Sequence, residues 1–482
     1  MALLILCCTH WAWGAQWRAG AIVVNTTADE LNADGDCSLR EAIEAANGDA
    51  AVDACPAGAG ADTIVLPAGV YYLTLTGASE DNNATGDLEV KEELTILGSG
   101  IASTYIDGNN SDRVFHIWGS SLHLSNLRIL NGTPAAGEDG GGILVDCGSL
   151  EMAGVWVLGN TAARGGGICT TCTTSSVKMA DSLITGNTST SEIFGGGGLF
   201  ITGALVARHS SISGNEATGT NGSGAGAYVY SGSAKIVAVT FRANTAAVSG
   251  GGLFLSNSPS SIEIRDTTFN MNSAAAAAAI HTYAPTDIIN STIRGNTATN
   301  EGSVAGVMTT QGVTNIRNST IVYNNSGGVN TAPSPAAVNV THSIVAFNGE
   351  AYGSEFNCGY GVTSQGYNIE NGTSCGFTST GDLQNTDPRL SGLGLNGGTT
   401  NNYAPRANSP AVDGGDPSGC LGPDALPLIV DQRGYSRPVD GDGDGTDVCD
   451  IGSVEFGSGP ASLKLFIGHL PVRAPIDRPR PR

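Results

Sequence analysis

The sequence predicts an all-β chain wound as a right-handed parallel β-helix, a solenoid, with a short N-terminal capping helix. Three observations predict it. Asparagine recurs at positions 160, 187, 215, 244, 272, 296, 324 and 348, at spacings of 27, 28, 29, 28, 24, 28 and 24. Three residues before each stands an apolar one (Val157, Ile184, Ile212, Phe241, Phe269, Ile293, Ile321, Val345), and eight before each another (Met152, Met179, Ala207, Ile236, Ile264, Ile288, Ile316, Val340). After a loop of variable length come small residues: glycines 140–142, 165–167, 195–198 and 250–252, and alanines 274–279. Alternating polarity between these marks gives short strands with one buried face. The period is too short for a propeller blade or a βαβ unit, and it lacks the helical rhythm of ankyrin or tetratricopeptide repeats.

Stacked coils put like residues above like, so the asparagines become one column of amides, each donating to the next and tolerating a left-handed turn. The coil over residues 123–132 joins the register if Gly132 takes the ladder position, which aligns Leu124 and Ile129. At ~4.8 Å per coil, about twelve coils give a rod of roughly 55–60 Å. Composition agrees. Of 482 residues 69 are glycine, without a three-residue period, and 40% are hydrophobic, too many for a disordered chain. The net charge of -22 argues against a nucleic-acid partner, which demands a cationic face.

In chain order, residues 1–21 read as a signal peptide, with Leu3-Leu4-Ile5-Leu6 as apolar core and Ala19-Gly20-Ala21 as the release site. No later stretch approaches the ~20 apolar residues of a membrane helix, so the mature chain has no transmembrane span. Residues 22–119 form an N-terminal cap and the first coils. There Ser38 and Glu41 make a capping box, and Leu39, Ala42, Ile43 and Ala46 one apolar helical face. Such a helix covers the open edge of the first coil. Residues 120–384 are the repeats, 385–456 a C-terminal module, and 457–482 a basic, proline-rich disordered tail. Nine cysteines remain beyond the leader, and their grouping suggests bridges Cys37–Cys55, Cys358–Cys375 and Cys420–Cys449, as in an exported protein. Cys147, Cys169 and Cys172 are an odd trio that favours one disulfide and one spare thiol over zinc.

Cys37-Ser38-Leu39-Arg40-Glu41-Ala42 resembles the CSLREA motif of exported bacterial β-helix proteins. Phe241-x-x-Asn244, Phe269-x-x-Asn272 and the glycine triplets resemble the repeats of polymorphic outer-membrane protein passengers. Ser409 to Gly415, Asp431-Gln432-Arg433-Gly434 and Asp450-Ile451-Gly452 resemble the choice-of-anchor Q domain. The likeness covers roughly residues 22–456 and implies export and a surface location, without a common activity. The chain departs from autotransporters in having only 26 residues after Phe456, far fewer than a membrane barrel requires.

Chemistry has two candidate places. Asp440, Asp442, Asp444 and Asp447 alternate in a glycine-rich turn and point carboxylates at a hard cation, calcium; Ile451 stands where an EF-hand has its glutamate. Asp34 and Asp36 form a poorer second candidate. On the coils, Lys235 and Glu263 fall on adjacent turns beside Arg265 and Asp266. These four are the weak catalytic candidates for a lyase or hydrolase, which needs a base or paired acids in an external groove; a salt-bridged outer face is the plainer expectation. The leading expectation is a secreted or cell-surface structural and adhesive protein that binds extracellular polysaccharide or a cell-surface ligand through loops on the rod. The alternative is a calcium-dependent polysaccharide lyase or glycoside hydrolase.

Overall fold

A computed structural model describes residues 20–77, 80–349, 356–423 and 426–460. The expected leader and tail lie outside these, apart from residues 20–21 and 457–460. The chain is a parallel β-helix whose coils repeat three strands and a short fourth. One coil runs Ile168–Thr170, Ser176–Ala180, Leu183–Thr185 and Thr188–Ser189. Each strand pairs in parallel with its counterpart one coil on, Met179 with Ala207 and Ile184 with Ile212, for example. The fourth strands form a separate six-stranded ribbon. About ten turns are complete, fewer than the twelve expected, because some end strands extend only one sheet: Ile22–Val23 pairs with Asp62–Leu66, and Val362–Ser364 with Ala337–Thr341.

The core is the inward row of each sheet. The apolar residues three and eight before the asparagines are almost completely buried, and Phe241 stacks on Phe269 with ring centroids 4.7 Å apart. The amide column is present. Asn160, Asn187, Asn215, Asn244, Asn272, Asn296, Asn324 and Asn348 are all buried, and each side-chain NH2 donates to the next carboxamide oxygen at 2.8–3.2 Å. The second hydrogen of most goes back one coil to a carbonyl, as Asn244 Nδ2 to Ile212 O at 2.9 Å. Each oxygen also accepts the backbone N–H of the asparagine before it, as Asn215 N to Asn244 Oδ1 at 3.0 Å. Only an amide offers two donors and a twofold acceptor at this reach, which is why the column is Asn. Gly132 takes the ladder position, its N–H donating to Asn160 Oδ1 at 2.8 Å.

One expectation is corrected. The ladder asparagines do not take the left-handed backbone; the residue before each does (Gly159, Gly186, Gly214, Ala243, Met271, Gly295, Tyr323, Phe347). A second left-handed corner lies six before each asparagine, at Gly154, Asp181, His209, Ala238, Asp266, Asn290, Asn318 and His342. An amide in the ladder must point inward along the column, so the tight bend passes to its neighbour. Behind that corner a hydroxyl ladder satisfies the backbone: the N–H groups of Ser182, Thr267, Ser291 and Ser319 donate to the side-chain oxygens of Ser210, Ser291, Ser319 and Ser343. At the glycine corners space decides. Gly196 has φ +77°, and a Cβ there would lie 2.5 Å from Leu199 O.

At the N-terminal end the helix Leu39–Asn47 carries the expected capping box and packs on the first coils. Arg40 is buried. It pairs with Asp29 at 2.6 Å and donates to the carbonyls of Gly86 and Asp87, which nails the helix to the rod. The bridges Cys37–Cys55, Cys358–Cys375 and Cys420–Cys449 form as expected, Cys147 bonds Cys172, and Cys169 is the one free thiol among the described residues, buried.

The described residues of 385–460 fold back along the side of the rod. Gln432 donates to Thr268 and Thr400 and accepts from Thr292, while Gly452 N donates to His342 O. Beneath them the outward positions of the third sheet change character. Ser213 and Arg242, on earlier coils, are polar, the first half-buried and the second exposed. Val322, Ile344 and Ala346 are buried against Leu390, Tyr403, Ala411 and Ile451.

Candidate functional site

The outward face of the second sheet carries a row of ion pairs. Stacking places Lys235 Nζ 2.9 Å from Glu263 and Arg265 Nε 3.5 Å from the other oxygen of the same carboxylate. One coil further, Asp287 pairs with Arg317 at 2.9 Å and accepts from Asn315. Earlier in the row Glu151 joins His123 at 3.3 Å and Lys178 at 2.5 Å. Hydrogen bonding from Lys178, ahead of the opposing cost of burial, holds the Glu151 carboxyl below its ordinary range.

Asp266 stands apart from its three neighbours in the sequence argument. It occupies the left-handed corner, and its carbonyl accepts the Thr400 hydroxyl at 2.9 Å, so it belongs to the seam with the C-terminal module. Burial pushes its carboxyl up to about 7, against the lowering pull of Arg265 and Asn290. The strict alternation of a strand breaks at this corner, so adjacency in sequence does not give a shared face.

The acidic loop gathers only part of the expected set. Carboxylate oxygens of Asp440 and Asp442 lie within 4.8 Å of each other and of Asp413, which local spacing did not reveal. Asp444 and Asp447 serve the loop itself, accepting from Thr446 N and Asp440 N. Asp413 Oδ2 accepts the N–H groups of Gly441 and Asp442 at 3.0 and 2.7 Å. Burial raises its affinity for a proton; those two N–H bonds oppose the effect and the Asp442 and Asp440 charges reinforce it. Asp34 and Asp36 converge with Glu30 in a similar trio at the N-terminal cap.

A further cluster was not singled out by the sequence argument. Asp87, Glu89, Asp112, Arg113 and His116 are buried together on the outward side of the first sheet. Arg113 pairs with Asp87 at 3.0 Å and with Glu138 at 2.6 Å. Glu89 is fully enclosed, and burial, reinforced by the neighbouring Asp87 carboxylate, pushes it up to about 9. The signal was an acid at the centre of Leu88-Glu89-Val90, a strand that is buried throughout.

A carboxyl whose folded pKa lies above its unfolded value contributes stability below about pH 4.5 and loses it as pH rises toward 9, by up to about 1.4 kcal/mol per pH unit. Glu89→Gln is therefore expected to match wild type near pH 5 and to exceed it in urea midpoint at pH 8.5. Parallel curves for the two proteins across this range would contradict the assignment.

No family model matches this chain, and no curated protein does. Among solved structures it is similar to pectate lyase Pel9A, with a TM-score of 0.35 and 12% identity over 83% of this chain and 92% of that one. It is also similar to a mannuronic acid specific polysaccharide family 6 lyase from human gut microbiota, with a TM-score of 0.31 and 9% identity over 64% and 81% of the two chains. The likeness is one of fold: this chain is all-β, a parallel β-helix with one short helix.

Proposed function

We propose that the protein is an exported, extracellular or cell-surface β-helix rod that binds polysaccharide laterally rather than cutting it. One observation carries this reading: along the charged face each carboxylate meets a cation on its own or a neighbouring coil. Lys178 with Glu151, Lys235 and Arg265 with Glu263, and Arg317 with Asp287 neutralise one another. A lyase base must instead be free to take a proton, and a hydrolase needs one carboxyl poised as acid beside another as base or nucleophile. Partly exposed pairs of this kind stabilise by about 0–1 kcal/mol each and hold the face stiff and near-neutral. Four disulfides among the described residues support assembly in an oxidising compartment. No helix among the described residues is long and apolar enough to cross a membrane. In this reading the CSLREA-like helix closes the rod at its start, and the choice-of-anchor-like module clamps its side.

Calcium belongs to the same proposal, held by Asp440 and Asp442 with Asp413, while Asp444 and Asp447 shape the loop. Three carboxylates within 4.8 Å repel one another unless a cation lies among them. Incubating purified protein with pectate, alginate and glycosaminoglycans, with calcium and with chelator, tests both parts. Retention on one of these polymers without new chain ends is expected, and cleavage of any of them overturns the reading. Calorimetric titration with calcium should give a binding heat that Asp440→Asn plus Asp442→Asn abolishes. Equal heats for that variant and wild type would remove the metal.

A further inference from the structure

We propose that the seam between the last coils and the folded-back module is a binding site for an acidic glycan, a chain of pyranoses bearing carboxylate or sulfate. The inference rests on the polysaccharide-binding reading and names the ligand class and the place. Two adjoining cavities of about 410 and 530 Å³ share Asp387, Arg389 and Asn408 as a common wall. Both are open to the surface, with a mostly polar exposed lining.

The rod supplies two aromatic rings to the first cleft. Tyr323 and Phe347, from consecutive coils, stack with centroids 5.3 Å apart and an interplanar angle of 8°. Tyr323 keeps 41% of its surface exposed. The module supplies the charge. Leu390 and Pro405 are antiparallel partners, and Arg406 N donates to Arg389 O at 3.1 Å, so the two arginines leave neighbouring strands side by side. Both are exposed.

Several guanidiniums are neutralised by carboxylates, as at Arg113, Arg164, Arg317 and Arg437, whereas Arg128 lies over the Tyr105 and Trp156 rings and Arg294 donates to Asn270. Arg389 and Arg406 make no ion pair among the described residues. Arg389 Nη1 donates to Asn408 O at 3.1 Å, and the nearby Asp387 Oδ1 accepts the Arg389 backbone N–H at 2.8 Å. In a chain of net charge -22, two adjacent guanidiniums without carboxylate partners are a local sink for anions. Their planar forks match carboxylate and sulfate oxygens, and the exposed Tyr323 ring suits an apolar face of a pyranose. Asp442 lines the second cavity, so a cation in the acidic loop would stand at the far wall.

Calorimetry in chelator, which removes that cation, tests the site. The probes are tetragalacturonate, a heparin-derived tetrasaccharide and neutral cellotetraose. At least one acidic probe is expected to bind tenfold or more tightly than cellotetraose, and which one does so tells carboxylate from sulfate. Arg389→Gln plus Arg406→Gln should then weaken it at least tenfold with an unchanged melting temperature. If that pair lowers the melting temperature, Arg406→Gln alone, at an exposed side chain, is the readout and should weaken binding several-fold. Equal binding of acidic and neutral probes, or an unaltered affinity in the arginine variants, overturns the proposal. Should the arginine variant still bind a polymer as wild type does, the rod remains a polysaccharide binder and this site fails alone. Should wild type bind neither polymer nor oligosaccharide, both readings fall.

Discussion

Asn244→Ala is expected to lower the unfolding free energy by about 3–6 kcal/mol. The side chain serves three groups that nothing else can reach. Its Nδ2 donates to Ile212 O at 2.9 Å, and its Oδ1 accepts both Asn215 N and Asn215 Nδ2 at 3.0 Å. All sit in the buried column, where each orphaned polar group costs about 1–3 kcal/mol. Asn244→Asp is the sharper variant, because it keeps the shape and the acceptor. It turns the former donor toward Ile212 O and Asn272 Oδ1, so acceptor meets acceptor and the loss should be as large. Urea unfolding followed by circular dichroism measures both. In a solenoid each coil depends on its neighbours, so hydrogen exchange should quicken first at the coils of Asn215 and Asn272.

Arg437→Met should cost about 3–5 kcal/mol, concentrated in the C-terminal module. The Arg437 side chain is completely enclosed, with Nε 2.7 Å from Glu455 Oε2. Its Nη atoms donate to Asn290 Oδ1 on the rod and to the carbonyls of Asp450 and Gly452 in the module. Truncation leaves a buried carboxylate beside Asp450, which burial and the Glu455 charge already push up to about 8. Lysine is not expected to rescue, since one ammonium cannot replace a fork that serves four acceptors. Detachment exposes Val322, Ile344 and Ala346, so limited proteolysis should cut within residues 385–460 and dye binding to apolar surface should rise, while the Asn column stays protected. Cleavage spread evenly along the chain would contradict this division.

Much of the fold was legible because stacking turns a sequence period directly into a spatial column. The asparagine spacing gave the ladder, the flanking apolar positions gave the core, and clustered cysteines gave three bridges. The juxtaposition of Lys235 with Glu263 followed from the same register. What escaped has physical reasons. The hydroxyl ladder was present as Ser182, Ser210, Thr267, Ser291, Ser319 and Ser343, five before the asparagines, but serine and threonine are common in turns and carry little signal alone. The left-handed corners were placed one residue late, because an amide that tolerates such a backbone need not adopt it. The seam was foreshadowed by the drift from Ser213 and Arg242 to Val322 and Ala346 at equivalent outward positions. Its partner lay more than a hundred residues on in the case of Thr292 and Gln432, out of reach of any local pattern. Asp413 joined the acidic loop from outside for the same reason.

The amide column requires parallel coils in one register, and paired cysteines on the outward face test that most directly. Ser213 and Arg242 are register partners on successive coils, about 4.8 Å apart, within the span a disulfide can bridge. Ser213 and Asn270 are two coils apart, about 9.6 Å, and cannot be bridged. Under mild oxidation, Ser213→Cys with Arg242→Cys should give near-complete intramolecular bridging by mass spectrometry, and Ser213→Cys with Asn270→Cys essentially none. Equal bridging of the two pairs, or preference for the second, would contradict the stacked coil and the ladder with it.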